Sequence, residues 1–339
     1  MKCNVKGMTF LLILGSSILF VILFSSYITL KVTPINETLD DNNSKLANIV
    51  KPNSSSANND NNDNVKESDG TKSDGNPLKI FTSFYPVYDF VKKIGKDRID
   101  SSVIVPTGIE PHDFEPTTKQ IIELQKADAI FINGMGFESW VNKINNANII
   151  DLSKDLPTKE NAQISNPHVW LDPLLAKSQA KNIVDSLVKL DPQNKLYYNS
   201  NYAQFANHLD KLNLDIISNL TDCKLHDFLS FHDAFGYFAK RYGLTQHSIQ
   251  GLSPEAEAPP QKIREAIDLS KQLGLDVVFT EDNVDPRLPD LIAQEINGQV
   301  LILSPIEIIS DEEKQMNKDY FSKMYDNLDN LKTALKCAK

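Results

Sequence analysis

Eight short apolar runs, separated by longer amphipathic stretches, constrain the fold of this chain more than any other feature. Each run is rich in Ile, Val and Phe and is bounded by Gly, Pro or Asp, which is typical of buried parallel strands. The runs lie at 78–84, 101–106, 128–134, 148–152, 227–233, 244–250, 276–282 and 299–305. Because strands that alternate with helices form parallel sheets covered by helices, the pattern predicts an α/β protein with roughly four strands in each half.

The segment between about Pro192 and Leu220 interrupts this alternation. Its apolar residues recur every three or four positions, as on one face of a helix: Tyr202, Phe205, Ala206, Leu209, Leu212, Ile216 and Leu220. We therefore expect one long, rigid helix at 191–221 that joins an N-terminal α/β lobe, 78–190, to a C-terminal α/β lobe, 222–339.

The beginning of the chain has a different composition. Residues 8–30 include no charged side chain, and as a helix these 23 residues would be about 34 Å long, enough to cross a bilayer core of ~30 Å. Lys2 and Lys6 precede the apolar run and favour a cytoplasmic N-terminus. We predict an uncleaved membrane anchor within 1–30, which would place the rest of the chain outside the cytoplasm. A cleaved signal peptide is the alternative.

Residues 31–77 have no aromatic side chain and are rich in Asn, Asp and Ser. Such a segment cannot bury enough apolar surface to offset the entropy of ordering, so we expect a disordered tether. It also includes three N-x-S/T triplets, which are acceptors for glycosylation outside the cell.

Charge and cysteine count exclude several classes of protein. The 339 residues include 35 Lys and Arg against 45 Asp and Glu, for a net charge of −10, which argues against binding to nucleic acid. Three cysteines are too few for a disulfide scaffold or a Cys-based zinc finger. Cys223 and Cys337 flank the second lobe, and outside the cell they are candidates for a disulfide, with two free thiols as the alternative.

Three of the six histidines stand in distinctive surroundings. His112 lies in PTGIEPHDFEPT after a predicted strand, His168 in NPHVWLDP, and His232 at the end of FLSFHD. Ligands of α/β proteins bind at the carboxyl ends of parallel strands, which favours His112 and His232 as site residues. Their separation excludes a local motif, so any site must be assembled from distant segments. The other histidines are predicted to be structural or surface residues: His208, His226 and His247.

Several ordered motifs together resemble a known family. These are GIEPHDFEPT, QKADAIFINGMGFESW, NPHVWLDP, FHDAFGYFAKRYGL and GLSPEAEAPP. They resemble the zinc/manganese solute-binding proteins of ABC importers, a family that includes metal-binding lipoproteins and adhesins. The resemblance extends from about Leu78 to the C-terminus. The resemblance implies two α/β lobes joined by one long helix, which agrees with the fold predicted from the apolar runs and the helical segment.

The resemblance also implies a set of metal ligands. The family's first two ligand positions, both His, correspond to His112 and His168, and the third, which is His or Glu in different members, corresponds to His232. The fourth ligand in the family is usually an Asp within Leu-Asp-Pro, but this chain has Leu303-Ser304-Pro305 there. Glu307 is the nearest carboxylate and is the predicted fourth ligand, with water as the alternative. Two further carboxylates, Glu110 and Glu281, are less favoured as ligands, and we expect them to orient the site through hydrogen bonds.

Three imidazoles and a carboxylate suit Zn²⁺, and Mn²⁺ is possible because geometry and availability also decide selectivity. No histidine occurs in 141–167, where many zinc-specific members of the family carry a His-rich loop, and this absence slightly weakens the assignment of zinc.

The family resemblance implies a receptor and not an enzyme. The receptor would be a monomer that captures the metal ion outside the cytoplasm and passes it to a membrane permease. The chain has no G-x-x-x-x-G-K-[ST] motif, so a separate subunit would hydrolyse ATP. Two alternatives are a zinc hydrolase with an open His₃ site, in which Glu307 or Glu281 is the general base, and a surface adhesin.

Overall fold

The structure is a computed structural model that describes most of the chain after residue 75. The residues that it describes are 76–145, 147–157, 166–253, 258–282 and 284–338, and all of them belong to one compact unit, Glu67–Lys339. The predicted anchor, 1–30, and almost all of the predicted tether, 31–77, lie outside the described residues. Within the described part, none of the helices combines the length and the apolar character needed to cross a bilayer.

The first lobe is built on a parallel four-stranded sheet. Its strands in chain order are β1 (Leu78–Thr82), β2 (Ile99–Val103), β3 (Ala129–Ile132) and β4 (Ile149–Asp151), and their order in the sheet is β2-β1-β3-β4. The helices of this lobe are α1 (Tyr85–Gly95), α2 (Thr118–Leu124) and α3 (Pro173–Leu190). β3 is buried along its whole length, as expected for a central strand covered on both faces.

The second lobe repeats this topology without a repeat in the sequence. Its strands are β5 (Asp227–Ser230), β6 (Thr245–Ser248), β7 (Val277–Thr280) and β8 (Gln299–Ile302), in the parallel order β6-β5-β7-β8. Its helices are α5 (Gly236–Tyr242), α6 (Pro260–Leu273), α7 (Arg287–Glu295), α8 (Asp311–Gln315) and α9 (Tyr320–Ala334). The predicted fold class is therefore confirmed.

The long helix between the sheets is α4 (Lys195–Leu220), which at 26 residues is about 39 Å long. It begins three residues later than the sequence pattern suggests because Pro192–Asn194 forms a separate 3₁₀ turn. Its buried face follows the predicted spacing of apolar residues, and the helix packs against α1 and α3 of the first lobe and α9 of the second.

One hydrophobic core extends through both lobes. Phe90 of α1 packs edge-on against Tyr320 of α9, with ring centroids 4.9 Å apart, and both side chains are buried. The lobes are also linked by an ion pair between Asp172, which caps α3, and Arg241 of α5. These contacts hold the strand ends of the two sheets in a defined relation to each other.

A disulfide closes the second lobe. Cys223 and Cys337 are bonded to each other, and the backbone N–H of Leu225 donates to the carbonyl of Leu335 at 3.0 Å beside them. The bond thus attaches the end of the chain after α9 to the segment that leads from α4 into β5.

Candidate metal centre

The carboxyl ends of both sheets supply the predicted site residues. His112 lies in the loop after β2, and His232 lies two residues beyond β5. His168 precedes a 3₁₀ turn, Val169–Leu171, between β4 and α3, and Glu307 follows β8. The apolar runs in the sequence extend past the ends of several strands because the buried chain continues from the strand into the site. This is where parallel α/β sheets bind ligands.

The structure brings these four side chains into one cluster. One potential ligand atom from each of His112, His168, His232 and Glu307 lies within 4.8 Å of all the others. The Nε2 atoms of His112 and His168 are 3.2 Å apart. Glu307 Oε1 lies 3.3 Å from Nε2 of His112 and 3.0 Å from Nε2 of His168. The edge of a tetrahedron around Zn²⁺ is about 3.3 Å for metal–ligand distances of about 2.0–2.1 Å, so these three spacings suit a tetrahedral ion.

Burial and the neighbouring side chains together set the charge of His168 and Glu307. His168 is fully buried, which lowers its pKa to about 4 in spite of the neighbouring carboxylate of Glu307. Burial alone would raise the pKa of Glu307, but the close contacts of its carboxylate with the rings of His112 and His168 outweigh it and hold the pKa below its usual range. At neutral pH the site therefore presents a neutral imidazole beside an ionised carboxylate, which are the forms of these groups that bind metals.

His168 is oriented by the residue two positions before it. Asn166 Oδ1 lies 2.7 Å from His168 Nδ1 and accepts the backbone N–H of His168 at 2.9 Å. An amide oxygen can only accept, so Nδ1 carries the proton and Nε2 directs its lone pair into the cluster. The Asn166 Nδ2 group donates to the carbonyl of Asp233 at 3.3 Å, beside His232. Sequence reasoning missed Asn166, although an Asn two residues before a ligand is a signal for such a turn.

His232 contacts a carboxylate from the next strand. Its Nδ1 lies 2.6 Å from Oε1 of Glu281, which follows β7, and its Nε2 lies 3.0 Å from the carbonyl of Leu252. Burial by itself would lower the pKa of His232, but the contact with Glu281 and the charge of Glu307 raise it to about 9. Glu281, predicted to orient the site, therefore contacts His232, and at neutral pH a metal ion would have to displace a proton from this imidazole.

His112 is held by its own loop and by a ring from the first lobe. Glu110 Oε1 accepts the backbone N–H of His112 at 3.1 Å. Burial and the nearby charge of Glu307 raise the pKa of Glu110 to about 7. Phe137 packs edge-on against the imidazole, with ring centroids 4.6 Å apart. Glu110 therefore contacts the backbone of this loop and not the imidazole nitrogens.

Ser304 has a structural role in the last loop. Its backbone N–H donates to Asn327 Oδ1 at 2.8 Å, and its carbonyl accepts from Asn327 Nδ2 at 2.7 Å. Its hydroxyl accepts the backbone N–H of Ile306 at 3.2 Å. Ser304 thus shapes the turn that leads to Glu307, and the carboxylate in the cluster comes from Glu307.

The donor set fits a metal cation. Glu307 is buried, and its Oε2 atom has no hydrogen-bond partner within the described part of the chain. A buried carboxylate oxygen without a donor is costly, and a cation bound by the neighbouring imidazoles would satisfy it. Three nitrogen ligands and one carboxylate form a set that is typical of Zn²⁺.

Two α/β lobes that contribute donor atoms to one site between them define the class of solute-binding proteins. The model of the family "zinc-uptake complex component A, periplasmic" (ZnuA) matches residues 80–334, which is most of the chain. The protein therefore belongs to the ZnuA family of solute-binding proteins.

Relatives with known names support this assignment. The chain is 34% identical over 284 residues to the high-affinity zinc uptake system protein ZnuA of Bacillus subtilis, and the match covers 78% of this chain and 89% of that protein. It is 31% identical over 293 residues to the zinc-binding protein AdcA of Streptococcus pyogenes, with 75% of this chain and 55% of that protein covered. The chain thus spans about half the length of the streptococcal relative.

Solved structures share the fold. The metal-dependent lipoprotein YcdH of Bacillus subtilis superposes with a TM-score of 0.70 at 36% identity, over 76% of this chain and 99% of that one. The Zn(II)-bound ZnuA-like domain of Streptococcus pneumoniae AdcA gives a TM-score of 0.70 at 30% identity, with the same coverage. The laminin-binding protein of Streptococcus agalactiae, described as having adhesin and metal-transporting activity, gives 0.70 at 32% identity, again over 76% and 99%.

Proposed function

We propose that this protein captures Zn²⁺ outside the cytoplasm and delivers it to an ABC importer. The observation that carries the proposal is the cluster of His112, His168, His232 and Glu307, with donor atoms within 4.8 Å of one another. In this role the metal ion is the transported cargo. The proposed partners are a membrane permease and a separate ATPase subunit, as expected for relatives named as components of zinc uptake systems.

The donor chemistry supports zinc over manganese as the cargo. Imidazole suits Zn²⁺, whereas Mn²⁺ binds well to sites richer in oxygen and has an octahedral preference. Glu307 is the one carboxylate in the cluster, and its spacing from two of the imidazoles fits a tetrahedron. The affinity for Mn²⁺ is therefore the one to compare with the affinity for Zn²⁺.

The number of donors also supports a receptor and not a hydrolase. A catalytic zinc site keeps three protein ligands and an open position for water. Four protein donors would complete the tetrahedron and leave no such position. Glu307 and Glu281 are the candidates for the general base of a hydrolase, but both have other roles in this proposal. Glu307 binds the ion, and Glu281 orients His232 through the 2.6 Å contact between its Oε1 and the Nδ1 of the imidazole.

The organisation of the whole protein is part of the proposal. We infer a folded receptor with lobes at 78–190 and 222–339 around the linking helix at 191–221, acting as a monomer. The segment 31–77 would connect it to an anchor within 1–30. A similar protein of Streptococcus pneumoniae is named a zinc-binding lipoprotein, which supports attachment of such receptors to the membrane.

Metal titration of the purified full chain, after removal of metal with a chelator, tests the function. We expect one Zn²⁺ per chain, bound more tightly than Mn²⁺ in competition. Glu307→Gln keeps the shape of the side chain but loses the charge and should weaken Zn²⁺ binding at least tenfold, and His168→Ala should weaken it more. His208→Ala, on α4 and outside the cluster, is the control and should bind as the wild type does. Equal affinity in all four proteins would refute the proposed site.

A further inference from the structure

Trp170 connects the two segments that carry His168 and Glu307. Its side chain is 1% exposed, and its indole N–H donates to the carbonyl of Pro305 at 2.7 Å. The hydroxyl of Tyr320, on α9 of the second lobe, donates to the backbone carbonyl of Trp170 at 2.7 Å. Trp170 follows His168 by two residues, and Pro305 precedes Glu307 by two. One side chain of the first lobe therefore contacts the backbone of the second lobe directly beside a proposed ligand.

The backbone between Pro305 and Glu307 is in a conformation that needs such support. Ile306 has φ of 63°, in the left-handed region, which is strongly unfavourable for a β-branched residue. Its side chain is completely buried. Residues held in this way persist only where the surrounding contacts determine their conformation. The contacts here are the indole N–H of Trp170 on one side and the hydroxyl of Ser304 on the other.

We propose that Trp170 is a positioning residue for the carboxylate of Glu307. Its indole N–H holds the strained turn at Ile306, and the turn directs Glu307 Oε1 to within 3.3 Å of His112 and 3.0 Å of His168. The same short segment thus supplies one metal ligand, His168, and positions another from the opposite lobe. This inference rests on the proposed function, because it takes Glu307 as a ligand of the ion.

Trp170→Phe tests the inference because it removes the N–H donor and keeps an aromatic ring against Phe84 and Phe137. Loss of a contact that orients a metal ligand typically costs 10–100-fold in affinity. We expect Zn²⁺ affinity of the full chain to fall about tenfold. Trp140→Phe is the matched control, because Trp140 is also 1% exposed but packs in a separate cluster of the first lobe. It should leave the affinity unchanged.

A double-mutant cycle separates positioning from a general effect on packing. If Trp170 acts through Glu307, Trp170→Phe should cost little further affinity in a Glu307→Gln background, since the effects of coupled residues are not additive. An equal tenfold loss in both backgrounds would overturn the inference, because it would show that Trp170 acts on another part of the site, such as His168. Wild-type affinity in Trp170→Phe would also overturn it.

Tyr320→Phe gives an independent test if Trp170→Phe does not fold. It removes the hydroxyl that holds the Trp170 backbone and should weaken binding severalfold in the wild-type background only; the same loss in the Glu307→Gln background, or no loss at all, would contradict the inference. The failure of the proposed function would look different: Glu307→Gln itself would then bind Zn²⁺ as the wild type does.

Discussion

The disulfide between Cys223 and Cys337 should make a large contribution to stability that is separate from metal binding. The two residues are 114 positions apart in the chain. A bond that closes a loop of this length removes conformational entropy from the unfolded chain, equivalent to about 5 kcal/mol at 25 °C in the chain-entropy model. We therefore expect the double variant Cys223→Ser/Cys337→Ser to lose about 5 kcal/mol of unfolding free energy.

Guanidinium unfolding of the metal-free protein measures this loss of unfolding free energy. In thermal unfolding, the same loss should lower Tm by roughly 10–20 °C for a protein of this size. Wild-type protein treated with a thiol reductant should unfold like the double variant, because both lack the bond. A difference below about 1 kcal/mol between wild type and double variant would refute the chain-entropy reasoning. Zn²⁺ affinity should not change, because Cys223 precedes β5 whereas the site lies at the carboxyl ends of the strands.

Two further predictions concern the loop after β3. Gly134 has φ of 87°, and a Cβ atom there would lie 2.0 Å from Asp151 Oδ1, whereas Gly136 has φ of 80° and open space. Gly134→Ala should therefore lose about 2 kcal/mol more stability in urea unfolding than its control Gly136→Ala; equal losses would contradict the predicted clash. Burial raises the pKa of Glu138 from 4.5 to about 7, so the folded protein holds a proton that the unfolded chain lacks. As the pH rises from about 4.5 to 7, wild-type stability should fall relative to Glu138→Gln by up to about 3 kcal/mol, and a pH-independent difference in unfolding free energy would refute this.

The strand pattern was sufficient to predict the architecture. Buried parallel strands have continuous apolar sequences, and eight such runs correspond to the eight strands found in the described residues. The pattern overestimated the strands at their carboxyl ends: the run predicted at 227–233 becomes β5, Asp227–Ser230, followed by His232 in a loop. Hydropathy reports burial, and Phe231 and His232 after β5 are as buried as the strand itself, so the pattern does not distinguish them.

The ligand set needed more than periodicity. Spacing alone offered His112, His168 and His232 as separate candidates in distant segments, and the resemblance to a family combined them. Glu307 was harder to identify because Ser304 occupies the position where related sequences often have Asp. The structure shows that Ser304 is engaged with Asn327 and that the next turn carries Glu307 into the cluster.

The helices and strands could be predicted from the amino-acid sequence alone, because hydropathy and helix periodicity are local properties of the residues. The sequence also contains the donor chemistry, since imidazole and carboxylate are present whatever the fold. Which of these donor atoms come together depends on the packing of the folded chain. Trp170 reaches the backbone of Pro305 in the other lobe, and Glu281 reaches His232 from a neighbouring strand of the same sheet. The 3.0–3.3 Å spacing among Glu307 and two imidazoles follows from packing between residues far apart in the chain, and no local pattern encodes it.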